Sequence, residues 1–324
     1  MPSSSDQHRP SDQHRPSDQH RPEHVVALIN PTSAKGAGAE AGRRAVAALR
    51  AAGIEVTDIV GRDAHDGEQR ASDALLKNHE AALVVVGGDG MVSAGLRLLT
   101  DHPETVLGII PAGTGNDTAR SLGIPLKDPE AAARVIAAGE VGRIDLGEAT
   151  VGAGTSAEVV RRFSTVMACG LDSKVNDRAN QMRWPRGKRR YDLSMLLELP
   201  RFKAPRFGIR LDDLELTDEC MLIAVGNGPS YGGGMLICPE ARMDDGRFQL
   251  TEVRKISKPA LLTIFPKVFK GRHVNHPKVE VHHAAEIELH AEGVSCWADG
   301  ERIGALPVTL RTLPGALRVF RPAG

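Results

Sequence analysis

Two aspartates stand where a chain could handle phosphate. Asp89 lies in LVVVGGDGM and Asp117 in LGIIPAGTGND, and each time an apolar run breaks into a glycine-rich turn before a helical pattern. The order is strand, loop, helix, twice between Leu83 and Arg120. In an open α/β sheet, ligands bind at the loops leaving the C-terminal ends of the strands. Glycine there lets backbone N–H groups reach a phosphate. Asp145, in RIDLGEA, falls near a further strand end. Three carboxylates on one ligand-binding edge, beside glycine loops, are what a magnesium–nucleotide site requires, because the metal takes oxygen ligands and keeps waters.

The surrounding pattern must place these loops side by side. From His24 onward a strand VVALIN, a loop NPTSAKGAG and a helix AGRRAVAALRAAG with Gly53 as C-cap are followed by a strand IEVTDIV and a helix across Glu68–Lys77. DPEAAARVIAAG is a further helix, with Asp128 at the N-cap and Pro129 at the first helical position. Strands alternating with helices of this length mean βαβ crossovers and a parallel sheet. After Thr150 the alternation stops. Strands are predicted over 158–170, 219–226, 247–254, 278–290 and 294–311, with helical insertions near 188–200 and 258–270. The expected fold class is therefore α/β, a parallel-sheet nucleotide domain followed by a β-rich domain. The boundaries are 24–146 and 147–312, with a terminal strand over 313–321 able to rejoin the first domain.

Composition bounds the function. The 324 residues exceed what one core usually serves. Formal net charge is zero, which argues against a nucleic-acid binder. Cys169, Cys220, Cys238 and Cys296 follow no metal-ligand spacing, so buried thiols of a cytoplasmic protein are expected. No apolar run reaches the ~18 residues of a membrane span. Residues 5–22 are three copies of SDQHRP, a polar segment with nothing to bury, and residues 1–23 are expected to be a disordered tail.

Some motifs carry less. Gly36, Gly38 and Gly42 form a GxGxxxG run, but Pro31 to Lys35 separate it from its strand, where a dinucleotide fingerprint needs its first glycine in the turn itself. No GxxxxGK[ST] occurs. Asp299-Gly300-Glu301 reads on its own as a hairpin turn.

Taken in order, NPTSAKGAG, GGDG, PAGTGND, GNGPSYGGG, CPEARMDDG and ADGE resemble the diacylglycerol kinase family of bacterial lipid kinases, which is similar to the sphingosine and ceramide kinases. The resemblance covers residues 24–321. It implies a nucleotide domain like that of 6-phosphofructokinase and NAD kinases, a C-terminal β-sandwich, and ATP between them. By position, Asn30, Pro31, Thr32 and Gly87, Gly88, Asp89 and Gly90 would hold ATP phosphates, with Thr114, Gly115 and Asn116 completing the pocket. Asp89, Asp117 and Asp145 would surround the catalytic Mg2+. Glu301 would be the general base, with Asp299 of the same turn a further catalytic residue. Asp245, with the carbonyls of Arg242 and Arg247, would hold a second, structural Mg2+. The chain departs from the family at Met91, in place of a threonine, at Ser93-Ala94, in place of Asn-Glu, and near Gly61, where a threonine contact to ATP is expected.

The implied reaction is phosphorylation of a primary hydroxyl of a diacylglycerol-type lipid, giving phosphatidic acid, by a cytoplasmic protein peripheral to the inner face of the membrane; the family also implies a homodimer. Residues 178–191 carry six Arg/Lys and no carboxylate, with Trp184 and Tyr191 as interfacial anchors. ALLTIFPKVFKGRHV at 260–274 is a second amphipathic stretch, expected to pack in the core. Alternatives are another lipid acceptor (sphingosine, ceramide or phosphatidylglycerol), a soluble acceptor such as NAD, and a non-catalytic nucleotide module. The second leaves the later motifs unexplained; the third is supported only by Met91 and Ala94.

Overall fold

Strands buried on both faces build the first half of the molecule. The computed structural model describes residues 18–182, 184–185 and 188–323. β1 (Asp18–Gln19) precedes β2 (His24–Ile29), α1 (Ser33–Ala51), β3 (Glu55–Ile59), α2 (Ala64–Lys77), β4 (Ala82–Gly87), α3 (Asp89–Thr100), β5 (Leu107–Pro111), α4 (Asp117–Ser121) and α5 (Pro129–Ala138). The parallel order is β3-β2-β4-β5. β4 and β5 are buried at every position, as expected of strands covered on both faces by helices. Their C-terminal ends deliver Gly87 and Pro111 side by side, so the loops after them adjoin.

The second half is antiparallel. It comprises β6 (Glu140–Val151), β7 (Val159–Phe163), β8 (Val166–Gly170), α6 (Leu171–Gln181), α7 (Lys188–Glu198), β9 (Arg206–Leu211), β10 (Leu214–Gly226), β11 (Phe248–Arg254), α8 (Lys258–Val268), a 3-10 turn Arg272–Asn275, β12 (Val279–Ala284), β13 (Glu286–His290), β14 (Ser295–Ala298), β15 (Glu301–Ala305) and β16 (Val308–Phe320). β10 changes sheets partway, pairing first with β9 and then with β8 and β11. Phe163 and Phe248 stack at 5.9 Å in the sandwich core. β6 and β16 pair from Val151↔Val308 to Val141↔Phe320 and so run through both halves. Leu317, Val319 and Phe320 join the core of the parallel half, and β16 pairs parallel to β5 at Val319↔Leu107.

Four differences from the sequence reading have physical reasons. α1 begins at Ser33, so most of NPTSAKGAG is helix; Gly38 lies in it because a Cβ there would sit 2.1 Å from the Asn30 carbonyl oxygen. The last SDQHRP copy is not wholly tail, since Asp18 and Gln19 pair with Val141 and Glu140, and the His20 N–H donates to the Gly139 carbonyl at 2.7 Å. Residues 1–17 lie outside the described part. α6 went unread because LDSKVNDRANQ is polar except at Leu171, Val175 and Ala179, which it buries together with Ser173, whose hydroxyl donates to the Gly170 carbonyl. α8 buries only Ile264 and Val268, whereas Leu262, Phe265 and Phe269 at its end are exposed, which corrects the core assignment of that stretch.

Candidate active site

Close backbone packing welds the two glycine loops. A Cβ on Gly113 would lie 2.2 Å from Gly88 Cα, and one on Gly115 would lie 2.5 Å from Asp89 Oδ2. Only glycine fits at either place. Asn116 sits in the left-handed region at φ 56°, and its amide both accepts from Gly113 N–H and donates to the Gly113 carbonyl, each at 2.9 Å. The Asn116 and Asp117 N–H groups then donate to Asp89 at 2.8 and 2.7 Å. Asp89 thereby holds the second loop against the first. Gly90, by contrast, faces open space. Asn30 Oδ1 accepts from Thr32 N and Oγ1 at 3.0 and 2.8 Å, a turn that carries Pro31 into α1. Neither Thr32 nor Gly88 caps its helix with a side chain. First-turn N–H groups of α1 and α3 therefore suit a phosphate. Thr114 is exposed at the rim.

Asp117 reaches the second domain. Its carboxylate accepts from Ser230 Oγ at 3.0 Å and from Gly233 and Gly234 N–H at 2.7 and 2.8 Å. Asp299 approaches from the other side, its oxygens taken by the N–H and hydroxyl groups of Ser164 and Thr165. These four donors anchor the 299–301 turn at its left-handed residue, φ 47°, and so fix where Glu301 stands. Burial, and then the nearby carboxylates of Asp117 and Asp299, push Asp89 up to about 6. Excess negative charge at a half-enclosed oxygen cluster fits a divalent cation.

Asp145 meets other groups than these with its carboxylate. It is fully buried and accepts from Gly246 and Gly315 N–H, both at 2.6 Å, while its own N–H donates to the Met243 carbonyl. The reason is topological: β6 continues beyond it antiparallel to β16, so Asp145 lies within a strand that joins the domains rather than in a loop at a strand end. Asp245 is exposed and accepts from Arg247 N–H at 3.0 Å; local desolvation, and then Asp145, push its carboxyl up. The Arg242 side chain pairs with Asp244, and Arg247 donates to the His283 carbonyl.

Glu301 lines a cavity of about 340 Å³ with Leu96, Arg97, Val160, Ile303 and Asp299. Its carboxylate pairs with Arg97 at 3.2 Å, and Arg97 also pairs with Glu68 at 2.7 Å. Arg97 was missed by sequence reasoning; its one signal is its place two turns after Asp89 on α3. Ser230, Ser164 and Thr165 were missed as well, and only SYGGG hinted at the first. The departures have structural meaning. Met91 packs against Gly87, where a Cβ would meet its Cγ at 2.4 Å, and against the core. A side chain at Gly61 would strike Asp63 O and Gly67 N at 2.4 and 2.5 Å, which rules out a threonine there in this backbone.

Comparison with known proteins covers both halves of the chain. Residues 24–149 match the diacylglycerol kinase catalytic domain and residues 165–321 the YegS C-terminal NAD kinase beta sandwich-like domain. The chain is 44% identical over 301 residues to a diacylglycerol kinase of Mycobacterium tuberculosis, covering 92% of this chain and 95% of the relative. It is 33% identical to a probable lipid kinase, YegS-like, of Pseudomonas aeruginosa, covering 90% and 92%. The fold matches the crystal structure of a diacylglycerol kinase from Bacillus anthracis with a TM-score of 0.68 at 22% identity, covering 93% and 97%. It also matches yeast NADH kinase with a TM-score of 0.54 at 12% identity, covering 94% and 85%. With two adjoining glycine loops in one domain, an acidic turn from the other, both family domains matched and a relative 44% identical, the chain belongs to the diacylglycerol kinase family of lipid kinases.

Proposed function

We propose that the chain transfers the γ-phosphoryl group of ATP to the primary hydroxyl of diacylglycerol, giving phosphatidic acid. The observation that carries this reading is the convergence of Asp89 and Asp117 with the 299–301 turn, beside a cavity walled by Leu96, Val160 and Ile303. The N–H groups of the loops at 87–90 and 114–116, with Asn30 to Thr32, hold the phosphates. Asp89 and Asp117 hold the Mg2+, which supplies charge neutralisation on the phosphate oxygens. Glu301 takes the hydroxyl proton as the oxygen attacks in line. Asp245 and the Arg242 and Arg247 carbonyls hold a second, structural ion. Labelled ATP, offered with detergent-dispersed diacylglycerol, ceramide, sphingosine and phosphatidylglycerol separately, tests the acceptor. Label in NAD and in no lipid overturns it.

Cation binding should be linked to pH. With Asp89 raised to about 6, its proton is retained more easily in the folded than the unfolded chain. The metal-free protein therefore loses stability as pH rises from about 4 to about 6, and this loss persists above. A bound cation removes it. Thermal unfolding should show Mg2+ stabilising the wild type more at pH 7 than at pH 5, and Asp89→Asn should abolish that difference; equal stabilisation at both pH values refutes the assignment.

No helix among the described residues is long and apolar enough to cross a membrane, and we place the membrane contact on α8 and the α6–α7 junction. Leu262, Phe265 and Phe269 are exposed, as are Trp184 and Tyr191. Residues 255–279 carry six Lys/Arg and no Asp/Glu. Arg183 and Arg186 lie outside the described residues, and Arg178 is engaged by Glu198, so α8 takes the larger share. Apolar insertion with about 1 kcal/mol per basic residue near an anionic leaflet gives reversible docking. Replacing Phe265 and Phe269 together by serine should lower co-sedimentation with anionic liposomes about tenfold, with activity on detergent-dispersed lipid retained.

A further inference from the structure

Away from the cleft, β11 and β12 carry a second group of ligating side chains that phosphoryl transfer does not use. Glu252 and Glu280 are cross-strand partners, and His282, two residues on, shares their face. One donor atom from each lies within 4.8 Å of the others. Arg254 orders the carboxylates, its guanidinium meeting Glu252 Oε1 at 2.8 Å, Glu280 Oε1 at 2.6 Å and Asp218 Oδ2 at 3.0 Å. The other donors are left over. Glu252 is fully buried with the Cys220 thiol beside its carboxylate, and its Oε2, like His282 Nε2, is shielded from solvent with no hydrogen bond of good geometry. Glu280 Oε2 stands 3.8 Å from His282 Nε2.

Buried polar atoms are nearly always satisfied, and two unmet ones in a single cluster call for a ligand that can meet both. Charge specifies which. Asp218, Glu252 and Glu280 face a single guanidinium, so the group carries an excess of negative charge that a divalent cation would offset. An imidazole nitrogen with two carboxylate oxygens is a zinc-class donor set, three protein ligands with one position open; Mg2+ prefers an all-oxygen shell. Ligands around a tetrahedral zinc lie about 3.3 Å apart, so the cluster must tighten only modestly, and the partly exposed Glu280 is free to do so. We propose that Glu252, Glu280 and His282 bind a zinc-class cation, with Arg254 as the outer partner that fixes the carboxylates.

The full-length, chelator-stripped protein, titrated with Zn2+ against a chromophoric chelator at neutral pH in excess Mg2+, tests this. One tight equivalent per chain is expected. It should weaken at least tenfold in His282→Ala and in Glu280→Gln, two partly exposed positions where the fold is retained and circular dichroism can verify it. It should survive replacement of the repeat histidines His8, His14 and His20 by alanine. Absence of a tight equivalent, its persistence in His282→Ala, or its loss with the repeat histidines overturns the site.

Discussion

Glu301→Gln is expected to lower kcat by about 10²- to 10⁴-fold, the usual contribution of a positioned general base, with ATP affinity and folding essentially unchanged. The structure explains why the two effects should separate. Glu301 is a half-exposed residue whose ion pair is with Arg97, and an exposed pair of this kind contributes about 0–1 kcal/mol. Glutamine can still accept from Arg97, and Arg97 keeps Glu68. The turn itself is held by Asp299 on Ser164 and Thr165, which the substitution does not touch. Phosphoryl transfer to detergent-dispersed lipid, read with a thermal melt, checks this. A variant that melts like wild type and retains full kcat removes Glu301 from the reaction.

The same turn shows what a sequence can and cannot convey. Asp89 and Asp117 were legible because glycine loops after apolar strands have one dominant use, and adjacent parallel strands leave their loops adjacent. The β16 return to the first core was legible from ALRVFRP as an open question, and Val319 pairing with Leu107 answers it. Asp145 looked equivalent to the other two because the run RIDLGEA places it near a further strand end. Whether such a run ends at the sheet edge or passes into a second sheet depends on pairing with β16, residues 308–320, which no local pattern encodes. Met91 is a related case. Its replacement of threonine reads as a lost polar contact, but in the fold its side chain fills the space beneath Gly87, which could accept no Cβ. Arg97 and the Glu252–Glu280–His282 group were illegible for the same reason, since their partners lie far off along the chain or across a strand pair whose register is set by tertiary packing.

Asp145→Ala should be the most destabilising of the substitutions considered, by about 3–5 kcal/mol. Its two oxygens are the acceptors for Gly246 and Gly315 N–H at 2.6 Å, and the residue is fully sealed from water. Truncation strands two buried donors, each costing about 1–3 kcal/mol, and opens a cavity where three segments meet. Gly315 lies at the irregularity of β16 between Leu313 and Leu317, and Gly246 ends the DDG turn. The loss therefore loosens the junction between the domains rather than one loop. For a chain of this size about 2–4 °C is expected per kcal/mol, so Tm should fall by roughly 10 °C. Asp145→Asn should fall less, because the amide keeps one acceptor while turning its NH2 toward the other donor. A catalytic-metal role makes the opposite forecast: an unchanged Tm with a raised Mg2+ requirement. Activity measured against Mg2+ concentration, below the unfolding range of the variants, separates the two. If Asp145→Asn leaves Tm unmoved and shifts the Mg2+ dependence, Asp145 belongs with Asp89 and Asp117 after all.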